Sequence, residues 1–504
     1  MRIVVWLAAL AAATGAAAPA CAAWRKAETA NFVVYSQADE ADLRRDAGQL
    51  EDYLSLLRAL TGVEDKAAAA KLSVYVVRYH EDLERVRPGT GSSTIGFYGA
   101  TERGIGAFAQ SMKGFGEGIG QQVLFHEIAH HFMLQYRPLA YPLWYIEGFA
   151  EFVQTATFDA EKIEIGKPSR MRAGWLIYEH WLPLEKILLN KAPDTGEGEA
   201  LFYAESWLLT HYLLRDDARR AKLNDYLRAT AAGEEPLAAF TRAFAMDPKA
   251  MQKAMADYTH KGFSYTRLYR ASGAQGPAVT VTALPQSADD LLLLDAALKG
   301  GLDARRGAAV LGKVRSAARG SGDEYSRRVL AEAEALIGDP EAAGRALQPL
   351  LAAHPDDAEL LYLEGMRHLA AARRNPAAAA AERKQAQVWL AKSHRADPNR
   401  YQTLFAYAQS LAGEPQFLSE NTSNVLLMAH ALAPQVPGIA LAAARHLMLR
   451  DRFDAAAALL TGLASDPHDK ENAEAARKLL DLAKAKTRPA GDPLEAAAAG
   501  GSAG

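Results

Sequence analysis

The alternation of hydrophobic and polar residues predicts a mixed arrangement of strands and helices in the first part of the chain. The run Asn31–Ser36 (NFVVYS) is short, apolar and β-branched, which is typical of a strand. Apolar residues then recur at steps of four and three, which predicts an amphipathic helix. Leu72–Val77 predicts another strand, and the apolar segments on either side of Thr101–Gly104 predict a hairpin.

The pattern changes from about residue 286. Strand-like runs disappear, alanine and leucine dominate, and helix-length segments alternate with short breaks rich in Gly, Pro and Asp. Prolines at 355, 398, 434 and 467 are separated by 43, 36 and 33 residues, close to the period of roughly 34 residues in tetratricopeptide repeats. Residues 286–485 are therefore interpreted as an all-α, tetratricopeptide-like solenoid, with a generic alanine-rich helical domain as the alternative.

Length and charge set limits on the whole chain. At 504 residues it is too long for one hydrophobic core. We expect a signal peptide at 1–23, a folded domain at 24–270, a linker at 271–285, the repeats at 286–485 and a disordered tail at 486–504. The 57 Lys+Arg and 60 Asp+Glu nearly balance and form no long block of one sign, which argues against a nucleic-acid partner.

The N-terminus has the features of a secretory signal. A lone arginine precedes an apolar run over residues 3–13, and small residues lead to a cleavage site near Ala22 or Ala23. The run is too short to span a bilayer, so we expect a periplasmic or secreted chain with no transmembrane segment. Lipidation of Cys21, the single cysteine, is the alternative, but Ala18 stands where lipoprotein signals usually carry Leu.

Histidine and glutamate are concentrated in residues 124–152 (LFHEIAHHFMLQYRPLAYPLWYIEGFAEF), which are otherwise mostly apolar. If the histidine segment is one helix, His126 and His130 lie about 40° apart on one face, whereas His131 points about 100° further round. His126 and His130 can then share an ion, and Glu127 can reach a water on it without binding it. This is the H-E-x-x-H pattern of zinc hydrolases, in which the glutamate takes a proton from the activated water.

A tetrahedral zinc site needs a third protein ligand. Sixteen residues separate His130 from Glu147, which lies in a second predicted helix that begins near Pro142. Glu147 and Glu151 are one turn apart on an apolar helix, where unpaired carboxylates are costly to bury. A cation with histidine ligands would offset that cost. Asp159 is a weaker candidate ligand, and a buried helix pair with satisfied polar residues is the non-metal alternative.

The segment FHEIAHHF followed by PLWYIEGFAEF resembles the gluzincin metallopeptidases. It is most similar to the secreted bacterial peptidase MA-like family, in which such a domain is often joined to tetratricopeptide repeats. The resemblance implies an α+β, thermolysin-like zincin domain with a small mixed sheet, active-site helices and a Zn²⁺ cofactor. It makes His126, His130 and Glu147 the zinc ligands, Glu127 the general base, and Glu151 the residue that holds the first histidine in its ligating tautomer.

A peptidase of this kind also needs a donor that stabilises the oxyanion. The predicted helix at 201–214 (LFYAESWLLTHYLL) offers Tyr203, His211 and Tyr212. The resemblance selects Tyr203, because similar families carry a tyrosine that opens a helix of this type. The alternative is that Tyr203 and Trp207 form a core stripe at helical spacing.

The resemblance also implies that Ile105–Gln110, just ahead of the histidine helix, is an edge strand that pairs with an extended peptide substrate. An ordinary edge strand is the alternative. His80, His131 and His180 are interpreted as structural or surface residues, since each lacks an acidic or histidine partner at ligand spacing.

The sequence therefore predicts a secreted zinc-dependent peptidase that acts on peptide or protein substrates, with Glu127 as general base. The alternative is an envelope binding or assembly protein, in which the repeats hold a protein partner and the zinc domain is inactive or structural. A zinc hydrolase that acts on a non-peptide amide stays open as a third possibility, because the residues that activate water would be the same.

Overall fold

The computed structural model describes most of the chain, namely residues 23–64, 70–92, 94–111, 118–136, 140–191, 195–260, 262–270, 276–465 and 469–490. The predicted signal peptide, apart from Ala23, lies outside the described residues. So do residues 491–504 of the predicted tail, and Pro467 of the proline pattern. None of the helices in the described ranges combines the length and the apolar character needed to cross a bilayer.

The described strands are β1 (Arg25–Glu28), β2 (Phe32–Ser36), β3 (Leu72–Val77), β4 (Gly96–Ala100), β5 (Ile105–Gln110), β6 (Thr157–Phe158), β7 (Lys162–Ile165), β8 (Thr266–Tyr269) and β9 (Thr280–Ala283). The helices up to residue 260 are α1 (Glu40–Thr61), α2 (His80–Val86), α3 (Ile119–Tyr136), α4 (Leu143–Val153), α5 (Arg170–Tyr178), α6 (Leu184–Leu188), α7 (Gly196–Leu214), α8 (Asp217–Ala231), α9 (Pro236–Phe244) and α10 (Pro248–Thr259).

The later part of the chain is helical. Its helices are α11 (Ala288–Lys299), α12 (Ala304–Arg319), α13 (Glu324–Ile337), α14 (Pro340–Ala353), α15 (Ala358–Arg374), α16 (Ala379–Ala396), α17 (Tyr401–Ser410), α18 (Glu420–Leu432), α19 (Pro437–Leu449), α20 (Phe453–Leu463) and α21 (Lys470–Lys484), with a 3₁₀ turn at Pro415–Leu418. The fold is thus mixed α+β and mostly helical.

Consecutive helices pack against each other through this later part, which we call the helical array (α11–α21). The prolines recur where the sequence predicts a break. Pro355, Pro398 and Pro434 each follow the last residue of a helix, α14, α16 and α18 respectively, by two positions, as expected of a residue that cannot continue a helix. This succession of short packed helices agrees with the tetratricopeptide-like interpretation.

A six-stranded mixed sheet with the order β4-β5-β3-β2-β1-β9 forms the framework of the N-terminal part. β2, β3 and β5 run parallel, whereas β4 is antiparallel to β5, and β1 is antiparallel to both of its neighbours. The strands predicted at 31–36 and 72–77 and the hairpin around 101–104 are confirmed. A smaller antiparallel sheet has the order β6-β7-β8.

The prediction that Ile105–Gln110 is an edge strand is wrong. This strand is β5, which pairs with β3 on one side and β4 on the other. The tight turn after β4 folds the two strands of the hairpin together, and the parallel pairing with β3 takes the remaining side of β5. β4 (Gly96–Ala100) is therefore the edge strand next to the histidine helix α3, which packs on both β4 and β5.

Both faces of the large sheet are covered. Side chains alternate along β3, so Val74 and Val76 join a core with α1 and α3, while Tyr75 and Val77 join a core with α2 and α11. This second core contains Phe108 of β5. The first helix of the array therefore packs on the sheet of the N-terminal part.

The segment predicted as a linker, 271–285, is not a simple connection. Residues 271–275 lie outside the described ranges, but Thr280–Ala283 forms β9 and pairs with β1, with Ala27 opposite Val281. The short sequence TVTA is largely exposed and carries a weak strand pattern, so its pairing partner decides its conformation. The boundary predicted near residue 286 separates two sequence patterns, but not two independent hydrophobic cores.

Candidate metal centre

Helix α3 positions the two histidines of the H-E-x-x-H pattern. It spans Ile119–Tyr136, close to the predicted helix, and presents His126 and His130 on one face. Their Nε2 atoms are 2.9 Å apart and their rings are nearly perpendicular, at 86°. The two imidazoles therefore point at one place from two directions.

Helix α4 supplies the carboxylate. It begins after Pro142, as predicted, and buries Glu147, whose side chain is 1 % exposed. Glu147 Oε2 lies 3.3 Å from His126 Nε2 and 3.7 Å from His130 Nε2. Among the described residues, these three form the one group of His, Cys, Asp or Glu close enough together to hold a metal ion.

The dimensions of this triangle match a tetrahedral zinc site. Bonds of about 2.0 to 2.2 Å in tetrahedral geometry put neighbouring ligand atoms about 3.3 to 3.6 Å apart. The observed separations of 2.9, 3.3 and 3.7 Å lie around that value. Two histidines and one carboxylate also form a donor set typical of catalytic zinc, which keeps its fourth position for water.

The electrostatics of the cluster favour a cation. Burial alone would lower the pKa of His126, but the carboxylates of Glu147, Glu151 and Glu127 outweigh it, so the pKa of His126 is raised. A site that stabilises a proton on a buried imidazole also stabilises a metal ion at the same atoms. The residues present therefore fit a divalent cation in both geometry and charge.

Glu151 lies one turn beyond Glu147 on α4, on the outer side of His126. Its Oε1 is 3.9 Å from Nδ1 of His126, the nitrogen that faces away from the cluster. Arg172 of α5 holds this carboxylate with two hydrogen bonds, from Nε at 3.1 Å and from Nη2 at 2.7 Å. The Gln154 side chain also donates to Glu151.

Glu127 follows His126 on α3 and is partly buried. After burial, its negative charge is the next largest cause of the raised pKa of Tyr98, on edge strand β4. The same charge contributes to the raised pKa of His126. The charge of Glu127 thus acts on both the histidine cluster and a residue of the edge strand.

Tyr203 of α7 lies beside the cluster. Its ring centroid is 6.4 Å from that of His126, and the guanidinium of Arg172 lies 4.9 Å from the centre of the Tyr203 ring. Burial and then the charge of Glu147 raise the pKa of Tyr203, so its phenol stays protonated and can donate a hydrogen bond. Trp207, one turn later, is fully buried, whereas Tyr203 is partly buried.

The other two candidate donors on α7 are engaged elsewhere. His211 contacts the backbone carbonyl of Ser264 through Nε2 and the hydroxyl of Tyr258 through Nδ1, each at 3.0 Å. The ring of Tyr212 lies under the guanidinium of Arg219, at 3.8 Å. Neither side chain therefore takes the position beside His126 that Tyr203 has.

The surroundings of His80, His131 and His180 agree with the structural or surface role predicted for them. His131 Nδ1 contacts the Tyr98 hydroxyl at 3.1 Å, and burial lowers the pKa of His131 to about 4. His80 contacts a backbone carbonyl at 3.3 Å, and His180 is exposed. Asp159 accepts hydrogen bonds from the backbone of its own turn, between β6 and β7, and is not part of the cluster.

Arg172 is the residue of this site that the sequence does not reveal. It stands 21 positions beyond its partner Glu151, in a short helix whose sequence, RMRAGWLIY, contains no metal-site pattern. Only the packing of α5 against α7 brings it to the cluster.

No family model matches the chain, and no curated protein matches it. Among solved structures, a thermophilic tetratricopeptide-repeat protein from Thermus thermophilus is similar, with 19% sequence identity and a TM-score of 0.33 over 39% of this chain and 100% of that one. A TM-score this low carries no argument about function, so the site is interpreted from its own geometry.

Proposed function

We propose that the protein is a zinc-dependent peptidase of the gluzincin type. The observation that carries the proposal is the convergence of His126, His130 and Glu147 from two helices, with ligand atoms 2.9 to 3.7 Å apart. An H-E-x-x-H pattern alone is short enough to occur by chance. A third ligand from another helix, at tetrahedral spacing, is a much more demanding condition.

The proposal of a thermolysin-like zincin domain has support from the elements around the site. A mixed sheet ends in β4, an antiparallel edge strand, and α3 packs on β4 and β5. An extended peptide could pair with β4 through backbone hydrogen bonds, without a demand for particular side chains. The proposal therefore takes β4, and not β5, as the strand that would pair with substrate.

In this mechanism His126 and His130 would hold a zinc ion through Nε2, and Glu147 would hold it through a carboxylate oxygen. The chemistry that a bound ion would supply is that of a Lewis acid, which favours loss of a proton from water and polarises a carbonyl. Glu127 accepts a proton from the attacking water and delivers it to the leaving amine. Tyr203 donates a hydrogen bond to the oxyanion.

The outer residues keep the ligands in place. Glu151 faces Nδ1 of His126 at 3.9 Å, and a carboxylate on that side favours the tautomer that ligates through Nε2. Arg172 fixes the orientation of Glu151 through two hydrogen bonds.

The decisive test replaces the proposed base and keeps the ligands. We expect Glu127→Gln to bind zinc as the parent does and to hydrolyse an unfolded protein substrate about 100- to 10,000-fold more slowly. Glu161→Gln, at an exposed turn, is the matched control and should retain activity. Metal analysis and a peptide-release assay on the same samples give both readouts. Full activity in zinc-loaded Glu127→Gln would falsify the mechanism.

Loss of a ligand should have a different signature. We expect Glu147→Ala to lose both zinc and hydrolysis, because two histidines alone do not complete the site. If Glu147→Ala kept one zinc per chain with the affinity of the parent, the assignment of the third ligand would be wrong.

A further inference from the structure

The turn between β4 and β5 lies against the helical array and is hydrogen-bonded to it. The Thr101 hydroxyl donates to the carbonyl of Lys299, at the end of α11, at 2.6 Å. The Tyr401 hydroxyl of α17 donates to the carbonyl of Thr101 at 2.9 Å, and the Gln402 amide donates to the carbonyl of Arg103 at 3.3 Å. The turn therefore contacts α11 through the Thr101 hydroxyl, and α17 contacts it through two of its backbone carbonyls.

The fit around this turn is close. A Cβ atom at Gly438, in the first turn of α19, would overlap the carboxylate of Glu102. A Cβ atom at Gly104 would lie 2.8 Å from the Lys299 side chain. Glycine on each side therefore lets the array and the turn approach to contact distance. We call this face of the array the hairpin seat, defined by Lys299, Tyr401, Gln402 and Gly438.

Apolar contacts continue from the turn into the strands. Ala100, the last residue of β4, and Ile105, the first of β5, pack against the buried core that α17, α18 and α19 share. The end of edge strand β4 is therefore held by the array as well as by its single sheet neighbour.

The array also contacts the histidine helix. The Gln135 side chain of α3 donates to the carbonyl of Leu432, the last residue of α18, at 3.1 Å. Gln135 lies one turn beyond His131, which contacts Tyr98 of β4, and two turns beyond Glu127. The array thus touches both elements that border the candidate metal centre on this side.

We propose that the helical array holds the β4–β5 hairpin as an intramolecular ligand, and thereby positions edge strand β4 for pairing with a peptide substrate. The part of this inference that concerns substrate rests on the proposed function. An edge strand has one neighbour, so a fixed turn removes conformational freedom that substrate binding would otherwise have to remove. A protein partner could use the hairpin seat only by displacing the hairpin.

Gly438→Ala in the full-length chain tests the seat, because the added methyl group takes the position of the Glu102 carboxylate, which must then turn away from α19. We expect amide hydrogen exchange over residues 98–106 to become several-fold faster and the KM for peptides to rise several-fold, with zinc content unchanged. Gly312→Ala is the matched control, since this glycine of α12 has nothing within 4 Å of the added Cβ. It should change neither quantity.

A second substitution separates this contact from general damage to α19. Glu102→Ala removes the carboxylate that the new methyl group meets, so Gly438→Ala combined with Glu102→Ala should recover most of the exchange protection and of the KM. Tyr401→Phe removes one hydrogen bond and keeps the ring, and should act in the same direction as Gly438→Ala with a smaller effect.

Hydrogen exchange tests whether the hairpin seat holds the turn, and this measurement does not depend on peptide hydrolysis. An error in the hairpin seat and an error in the proposed function therefore give different results. Unchanged exchange over residues 98–106 in both Gly438→Ala and Tyr401→Phe would show that the hairpin seat does not hold the turn. Faster exchange with an unchanged KM would overturn the positioning role. Faster exchange with a raised KM, and recovery in the double variant, would establish both.

Discussion

At the residue scale, Arg172 joins two supports of the candidate metal centre. It binds both oxygens of the Glu151 carboxylate and lies 4.9 Å from the ring of Tyr203. Only a planar guanidinium can make a two-pronged hydrogen bond and stack on an aromatic ring at the same time. Arg172 therefore positions the residue behind the first histidine and the proposed oxyanion donor together.

Arg172→Lys keeps the positive charge but loses the planar guanidinium, so it should weaken the support of the candidate metal centre. We expect zinc affinity or peptide hydrolysis to fall about 10- to 100-fold, the usual effect of losing an outer support of a metal ligand. Arg219→Lys is the control, because Arg219 also stacks on a tyrosine but lies on α8, away from the cluster. Zinc titration and a peptide assay measure both effects. Equal results for the two variants would contradict a positioning role for Arg172.

At the scale of elements, the packing of α4 against α7 brings Glu147, the proposed third ligand, and Tyr203 to the same site. Gly148, the residue after Glu147, has no room for a side chain, because a Cβ atom there would overlap the backbone of Ser206 and the hydroxyl of Thr210 on α7. The two helices can therefore approach closely only if this position is glycine. The segment EGFA thus contains a glycine that packing requires, next to the proposed ligand Glu147.

Gly148→Ala should separate these helices. We expect a loss of about 1 to 3 kcal/mol in the free energy of unfolding, as for other overpacked cores, together with weaker zinc binding. Gly48→Ala on α1 is the control, because its Cβ meets nothing within 4 Å. It should be neutral or stabilising by up to about 1 kcal/mol. Urea unfolding compares the midpoints, and a midpoint for Gly148→Ala at or above that of the parent would contradict the packing argument.

At the scale of the whole molecule, the sheet and the helical array share one hydrophobic core. Tyr75 and Phe108 of the sheet are buried together with Leu292 and Leu293 of α11. β9, which precedes α11, extends the same sheet. Removal of the array would therefore uncover the aromatic face of the sheet as well as the hairpin turn.

A fragment of residues 24–270 should consequently fail to fold as a monomer, because it lacks β9 and exposes this apolar face. A fragment of residues 24–300 keeps β9 and α11 and should be the more soluble and the more structured of the two. Gel filtration and circular dichroism compare them. A monomeric 24–270 fragment with native-like hydrogen exchange would refute the shared core.

The local features of the site could be predicted from the sequence. The helical period alone put His126 and His130 on one face, and the apolar surroundings of Glu147 indicated that a cation would lower the cost of its burial. The strands β2 and β3 follow from their apolar, β-branched runs, and the ends of three helices of the array, α14, α16 and α18, follow from proline. Each of these depends on residues within a few positions of one another.

The tertiary structure alone decided the rest. It made β4 the edge strand instead of β5, paired β9 with β1, brought Arg172 to Glu151 and placed the hairpin turn against Tyr401. The local sequence of each of these segments does not identify the segment that it contacts. Backbone pairing and close approach at glycine depend on main-chain atoms, which are the same in most residues. Spacing along a helix is a property of the sequence, whereas the choice among distant partners belongs to the packing of the whole chain.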